Sequence, residues 1–264
     1  MSAILTATVS IAVIGLLIGY LLVLFGKRFE VEIDPKEAAV REVLPGNNCG
    51  GCGFAGCDAL AKSIAAGEAP IGACPVGGDP VATKIAHIMD VEEPDSSARK
   101  VAFVKCSGDC NKAHKSANYI GITDCQAAVN SGLGDKACSE GCLGYGSCVK
   151  ACPFDAIRIV NGIAFVDRNA CKACGKCVEA CPKHLIELIP DKSQYAVRCN
   201  SNEKGPSVKK ACSAGCIGCN LCVKQCENDA IAVTNFLSKI DYEKCVSCGK
   251  CAEKCPAKVI MKRF

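Results

Sequence analysis

The chain has 264 residues, a net charge of +4, 25 cysteines and no tryptophan. That length permits more than one domain, and the cysteine usage lies far outside that of ordinary globular proteins. So small a positive charge argues against a strongly acidic soluble carrier and does not by itself call for a nucleic-acid partner. A disulfide scaffold would belong to an oxidising compartment, whereas the spacings below suit thiols kept free in a reducing one.

In chain order, Ile4 to Phe25 carry no charge. As a helix, a run of that length would cross a bilayer core of about 30 Å. Lys27 and Arg28 follow at once and no basic side chain precedes, which puts the rest of the chain on the cytoplasmic side of a cell membrane. A cleaved signal peptide fits less well, because a basic n-region and a small-x-small site are both missing. Residues 1–28 are therefore expected to form a single-pass transmembrane anchor. With no ionisable residue inside, that anchor could not carry an ion across on its own.

Residues 29–90 read as a small helical domain. Asp34-Pro35-Lys36-Glu37 is a helix start with Asp34 as N-cap and Glu37 closing a capping box, and the helix should stop at Pro45-Gly46. Further helices are expected over Asp58 to Ala66 and from Asp79-Pro80 towards Met89. Between them lie Cys49, Cys52, Cys57 and, further on, Cys74-Pro75, set among glycines that let a backbone wrap closely around a cluster. Four thiols at this spacing suffice for one 4Fe–4S centre. Tetrahedral zinc is the competing occupant. His87, His114 and His184 show no ligand spacing and read as structural.

Residues 91–124 read as a linker, polar and proline-broken at its start (VEEPDSSARK), with a short strand at Val101 to Val104 and two extra cysteines, Cys106 and Cys110. From Cys125 onward the chain is written twice. A shift of 74 residues lays cysteine on cysteine at nine positions, from Cys125/Cys199 and Cys138/Cys212 to Cys181/Cys255. A period this strict marks duplication of one unit, expected as modules at 125–190 and 191–264.

In the second copy the run Cys216-x2-Cys219-x2-Cys222-x3-Cys226 is followed by Cys245-x2-Cys248-x2-Cys251-x3-Cys255. This is the spacing of two-cluster ferredoxins, in which the fourth cysteine of each run ligates the other run's cluster. It assigns Cys216, Cys219, Cys222 and Cys255 to one 4Fe–4S centre, and Cys245, Cys248, Cys251 and Cys226 to another. In the first copy Cys171, Cys174, Cys177 and Cys152 form the equivalent of the latter. The remaining set is irregular, because Tyr145 stands where the second copy has Cys219. Cys138, Cys142, Cys148 and Cys181 are the candidate ligands there, with Cys138 as the substitute; a three-ligand site is the alternative.

This leaves Cys106, Cys110, Cys125, Cys199 and Cys212 outside five expected clusters. Four of the five could hold a sixth, or all could be small buried hydrophobes. Asn161-Gly162 between apolar runs signals a hairpin, and 230–240 is the matching segment. The expected fold class is α+β: a transmembrane helix, a small helical iron–sulfur domain and two tandem two-cluster ferredoxin-like modules. Each module is small, so cluster ligation should supply much of its folding free energy.

The whole layout resembles the B subunit of the Rnf complex, a membrane-bound ferredoxin:NAD oxidoreductase. The anchor, GNNCGGCGFAGC with downstream Cys74-Pro75, and the ferredoxin runs carry the resemblance, which spans nearly the full chain. The second module matches the longer forms of anaerobic bacteria. The resemblance implies a subunit of a translocase that accepts electrons from soluble reduced ferredoxin and relays them to partner subunits bearing the flavins, the NAD site and a sodium or proton pathway. The residues agree with that division. No G-x-G-x-x-G follows a strand, and neither a Walker A motif nor a nucleophilic catalytic set is apparent. A structural zinc scaffold and a relay subunit of a hydrogenase or another dehydrogenase are the competing functions.

Overall fold

The computed structural model describes residues 2–28, 34–92, 99–132 and 134–263. Helix α1 covers Ser2–Arg28, and its described side chains from Val9 to Phe25 include many exposed apolar groups. Among the described residues, however, no helix is long and apolar enough to cross a membrane. The transmembrane helix expected over 4–25 is thereby corrected. Most of the polar linker segment, 93–98, lies outside the described residues, as do 29–33.

The first iron–sulfur stretch is a three-helix unit of α2 (Pro35–Val43), α3 (Cys57–Ala65) and α4 (Gly78–Met89). Asp34 caps α2 by accepting from the Lys36 amide at 2.8 Å. Val40, Leu60, Ile64 and Ile85 fill the space between the helices, and Cys57 and Cys74 belong to the same core. Short helices without a sheet of their own gain stability chiefly through such burial.

Two units of matching design follow. The first contains β1 (Lys100–Val104), α5 (Cys125–Asn130), α6 (Ser147–Lys150), β2 (Ile157–Val160), β3 (Ile163–Val166), α7 (Lys176–Glu179) and β4 (Ile186–Pro190). The second contains β5 (Tyr195–Val197), α8 (Gly205–Ala211), α9 (Leu221–Lys224), β6 (Ile231–Thr234), β7 (Leu237–Ile240), α10 (Lys250–Glu253) and β8 (Ile260–Lys262). In each, the first strand pairs antiparallel with the last, β1 with β4 and β5 with β8, while the central hairpin pairs with itself. The strand within the expected linker is thus the opening strand of the first ferredoxin unit.

The backbone repeats four times in detail. Each one-turn helix α6, α7, α9 and α10 opens one residue before a cysteine and is entered through a left-handed residue: Gly146, Gly175, Asn220 and Gly249. Three residues after each run's last cysteine a second left-handed residue recurs, at Asp155, His184, Asp229 and Lys258. The turn it makes aims the next amide back at sulfur, with Leu185 donating to Cys181 Sγ at 3.4 Å, Ala230 to Cys226 Sγ at 3.4 Å and Val259 to Cys255 Sγ at 3.3 Å. His184 serves this turn.

Candidate iron–sulfur relay sites

The cysteines gather into discrete groups. Cys216, Cys219, Cys222 and Cys255 line one cavity beneath the β6–β7 hairpin, and Cys152, Cys171, Cys174 and Cys177 line another. Both sets are those the run spacing selects. Cys251 has Cys245 and Cys248 as neighbours, and Cys226 packs against the same core as Cys251. In the three-helix unit Cys52 and Cys57 lie beside Cys74, and Cys49 stands on the side facing Cys174.

The local sequence fixes that first site closely. The Asn48 side chain accepts from the Cys57 amide at 2.8 Å, tying the start of the GNNCGGC loop to the start of α3. The Gly77 amide donates to Cys74 Sγ at 3.4 Å. Amides directed at sulfur are what a thiolate ligand needs to hold its charge away from water.

The irregular set of the first ferredoxin unit resolves differently from the spacing-based assignment. Cys125, Cys142, Cys148 and Cys181 line one cavity, and Cys138 is not among them. Cys125 arrives there because Asp124 caps α5, accepting from the Gln126 and Ala127 amides, and also accepts the Ser147 hydroxyl at 2.7 Å. The same Ser147 oxygen accepts from the Cys125 amide at 2.8 Å, which clamps α5 to the start of α6 beside Cys148. Tyr145 points elsewhere: its hydroxyl donates to Asp135 at 3.3 Å and its ring stacks on Tyr119 with centroids 5.4 Å apart. Cys125 therefore replaces Cys138 as the fourth thiol of that group.

Cys138 lines a further cavity together with Cys106, Cys199 and Cys212. Of the 25 cysteines, Cys110 alone stands apart from these groups, and it is exposed. Burial holds the interior thiols well above their usual pKa, Cys148 and Cys177 to about 12 and Cys138 and Cys251 to about 11, with neighbouring thiols adding to the shift. Burial therefore favours the neutral thiol at these positions, and binding a cationic group there would have to release their protons.

Such an occupant is better matched by a cluster than by a single ion. Tetrahedral zinc needs four sulfurs at about 2.3 Å from one centre, whereas a cubane holds its four ligands at separate corners. The thiols spread around cavities in fours, with amides behind them, fit the cubane.

Comparison with known proteins agrees in outline. A family model described as "Putative Fe-S cluster" matches residues 44–76, and two models described as "4Fe-4S dicluster domain" match 134–182 and 215–259. The B subunit of the Na(+)-translocating ferredoxin:NAD(+) oxidoreductase complex of Acetobacterium woodii is 47% identical over 98% of this chain and 78% of its own length. The B subunit of the ion-translocating oxidoreductase complex of Methanosarcina acetivorans is 41% identical over 98% of this chain and 99% of its own length. In Clostridium ljungdahlii the B subunit of a proton-translocating ferredoxin:NAD(+) oxidoreductase complex is 45% identical over 98% of this chain and 93% of its own.

Proposed function

The chain belongs to the family of B subunits of ion-translocating ferredoxin:NAD oxidoreductase (Rnf) complexes, and from that membership we propose that it is the complex's iron–sulfur electron relay. It takes electrons from reduced ferredoxin and passes them to partner subunits that hold the NAD chemistry and the sodium or proton pathway. As part of such a complex it works at the membrane, with its cysteine-bearing units on the cytoplasmic side.

The observation that carries the reading is the gathering of thiols into sets of four that succeed one another along the molecule. Five sets hold 4Fe–4S clusters: Cys49, Cys52, Cys57 and Cys74; Cys152, Cys171, Cys174 and Cys177; Cys125, Cys142, Cys148 and Cys181; Cys216, Cys219, Cys222 and Cys255; Cys226, Cys245, Cys248 and Cys251. Bound there, the clusters supply one-electron redox chemistry. The chain's own contribution is to orient the thiols, donate amides to sulfur and exclude water, which are the levers that set a potential.

Charge supports an entry point for the donor. Residues 191–264 carry thirteen Lys and Arg against seven Asp and Glu, while residues 29–90 carry four against nine. Lys224, Lys244, Lys250, Lys254 and Lys258 are exposed around the second ferredoxin unit, where Cys219 and Cys248 also reach the surface. An acidic ferredoxin is steered to that face, and electrons then run towards the three-helix unit.

The test is iron, acid-labile sulfide and zinc on the complex purified without oxygen, with EPR spectra before and after adding reduced ferredoxin. Matching iron and sulfide with signals that appear on reduction support the relay. Stoichiometric zinc without sulfide overturns it.

A further inference from the structure

The cavity lined by Cys106, Cys138, Cys199 and Cys212 lies between the two ferredoxin units and takes two thiols from each. Cys106 follows β1 by two residues and Cys199 follows β5 by two. The backbone pairing makes them equivalent, since the Lys105 amide donates to the Leu185 carbonyl beside β4 at 2.8 Å and the Arg198 amide donates to the Val259 carbonyl beside β8 at 2.9 Å. Cys138 and Cys212 are equivalent in turn, in the matching stretches Lys136-Ala-Cys-Ser-Glu-Gly-Cys142 and Lys210-Ala-Cys-Ser-Ala-Gly-Cys216. Two pairs of corresponding thiols thus line one cavity.

Their sulfurs are close. A Cβ placed on Gly108 would stand 3.2 Å from Cys212 Sγ and 3.7 Å from Cys106 Sγ, so Gly108 leaves room for both. The lining carries both signs, Lys105 and Arg198 with Glu140 and Glu203, and a further cation lies beside it. Lys136 is buried with its ammonium donating to the Gly108 and Gly162 carbonyls at 2.9 Å each. Arg198 lines the cavity, and its Nε is, among the described residues, the one buried side-chain polar atom without a hydrogen-bond partner. A buried guanidinium N–H left unsatisfied costs free energy that an anionic neighbour would recover.

The neighbours on each side are ligands of other sites. The Cys142 amide donates to Cys106 Sγ at 3.4 Å, and the Cys216 amide donates to Cys199 Sγ at 3.3 Å. The cavity therefore touches the first unit's Cys125/Cys142/Cys148/Cys181 group on one side and the second unit's Cys216/Cys219/Cys222/Cys255 group on the other.

We propose that Cys106, Cys138, Cys199 and Cys212 hold a sixth 4Fe–4S cluster that carries electrons between the two ferredoxin units. This rests on the relay reading above and supplies the step that reading lacks, a passage across the seam. One electron enters from the second unit's cluster and leaves to the first unit's, with no net chemistry at the site.

The test uses the full chain in its complex, reconstituted and purified without oxygen. The unaltered protein should carry about twenty-four irons, six cubanes of four, with equal sulfide. Cys212→Ser and Cys138→Ser should each lose or convert one cluster, seen as about four irons lost or as a new three-iron EPR signal. Cys110→Ser, outside every group, should change neither. In Cys212→Ser, reduced ferredoxin should still reduce the second unit's clusters while the rest stay oxidised on the millisecond scale. About twenty irons in the unaltered chain, five cubanes of four, overturn the sixth cluster and leave the five-cluster relay standing. So does zinc at one per chain beside those irons. Loss of all reducible iron from the unaltered protein would instead defeat the relay reading itself. Should the variants fail to fold, the count and Mössbauer spectrum of the unaltered chain still decide.

Discussion

Gly51 of the three-helix unit lies against the backbone of Cys174 in the first ferredoxin unit: a Cβ on Gly51 would stand 2.7 Å from the Cys174 carbonyl oxygen and 2.9 Å from its Cα. Two proposed ligand loops are therefore in direct backbone contact, and only a glycine permits it. A side chain here meets backbone atoms that cannot swing aside. Gly51→Ala should keep the iron content and slow electron transfer between the two units, lowering ferredoxin-driven NAD reduction in the complex by about tenfold, equivalent to about 1.4 kcal/mol of barrier. Stopped-flow spectra at the cluster bands would measure it; an unchanged rate would show that the contact does not set the transfer distance.

Cys125 and Cys138 separate by the same logic of position. Cys125→Ser should disturb the cluster neighbouring Cys148, and Asp124→Ala should do so more mildly by releasing α5 from Ser147, at about 1 kcal/mol for a lost cap. Tyr145→Phe should leave iron unchanged, since its hydroxyl faces Asp135. Iron and EPR per variant are the readouts. A cluster lost on Tyr145→Phe would count against the assignment.

Cys177 sits in the single turn of α7 and is buried in the first unit's core. Cys177→Ser should remove or convert one cluster and impair the relay. Unchanged iron together with unchanged ferredoxin-driven NAD reduction would sink the ligand set that includes it.

The charge difference between the ends has a salt signature. Lys224→Glu with Lys254→Glu, both at exposed positions, should raise the KM for ferredoxin by about tenfold at low salt and flatten its salt dependence, because rim charges act chiefly on encounter. The maximal rate at saturating ferredoxin should stay near that of the unaltered complex. An unaltered KM would move the docking face elsewhere.

Iron removal should cost structure as well as redox activity. Each ferredoxin unit has only two-stranded sheets and helices of one or two turns around its thiols, and such pieces are marginal alone in water. Chelation under anaerobic reducing conditions should abolish the cooperative unfolding transition of both units. Circular dichroism would follow it, and a retained transition would mean that protein packing alone suffices.

Much of this was legible in the residues. In the second unit Cys216, Cys219, Cys222 and Cys255 line one cavity, as the run spacing groups them, because the sulfurs of each run lie close in sequence and one turn of backbone joins them. The hairpins follow from Asn161-Gly162 and its counterpart Asn235-Phe236, both in left-handed conformation. Cys125 was the difficulty. The 74-residue shift pairs it with Cys199, yet Cys199 corresponds in space to Cys106, because the segment between β1 and α6 in the first unit is longer than that between β5 and α9 in the second. A signal was present: Val104-Lys105-Cys106 and Val197-Arg198-Cys199 both read valine, basic residue, cysteine at a strand's end. The apolar run at the amino terminus is the other difference: composition over 4–25 suggested a span, whereas among the described residues no helix is long and apolar enough to cross a membrane.

The seam also sets an order of completion for the growing chain. Once Cys181 has left the ribosome, three of the proposed ligand sets are whole and can fill. The two thiols of the first unit that face the seam, Cys106 and Cys138, must wait for Cys199 and Cys212. Until then they form an open mouth, able to gather loose iron or to be oxidised, and the closing of that mouth is what turns two neighbouring modules into a single body.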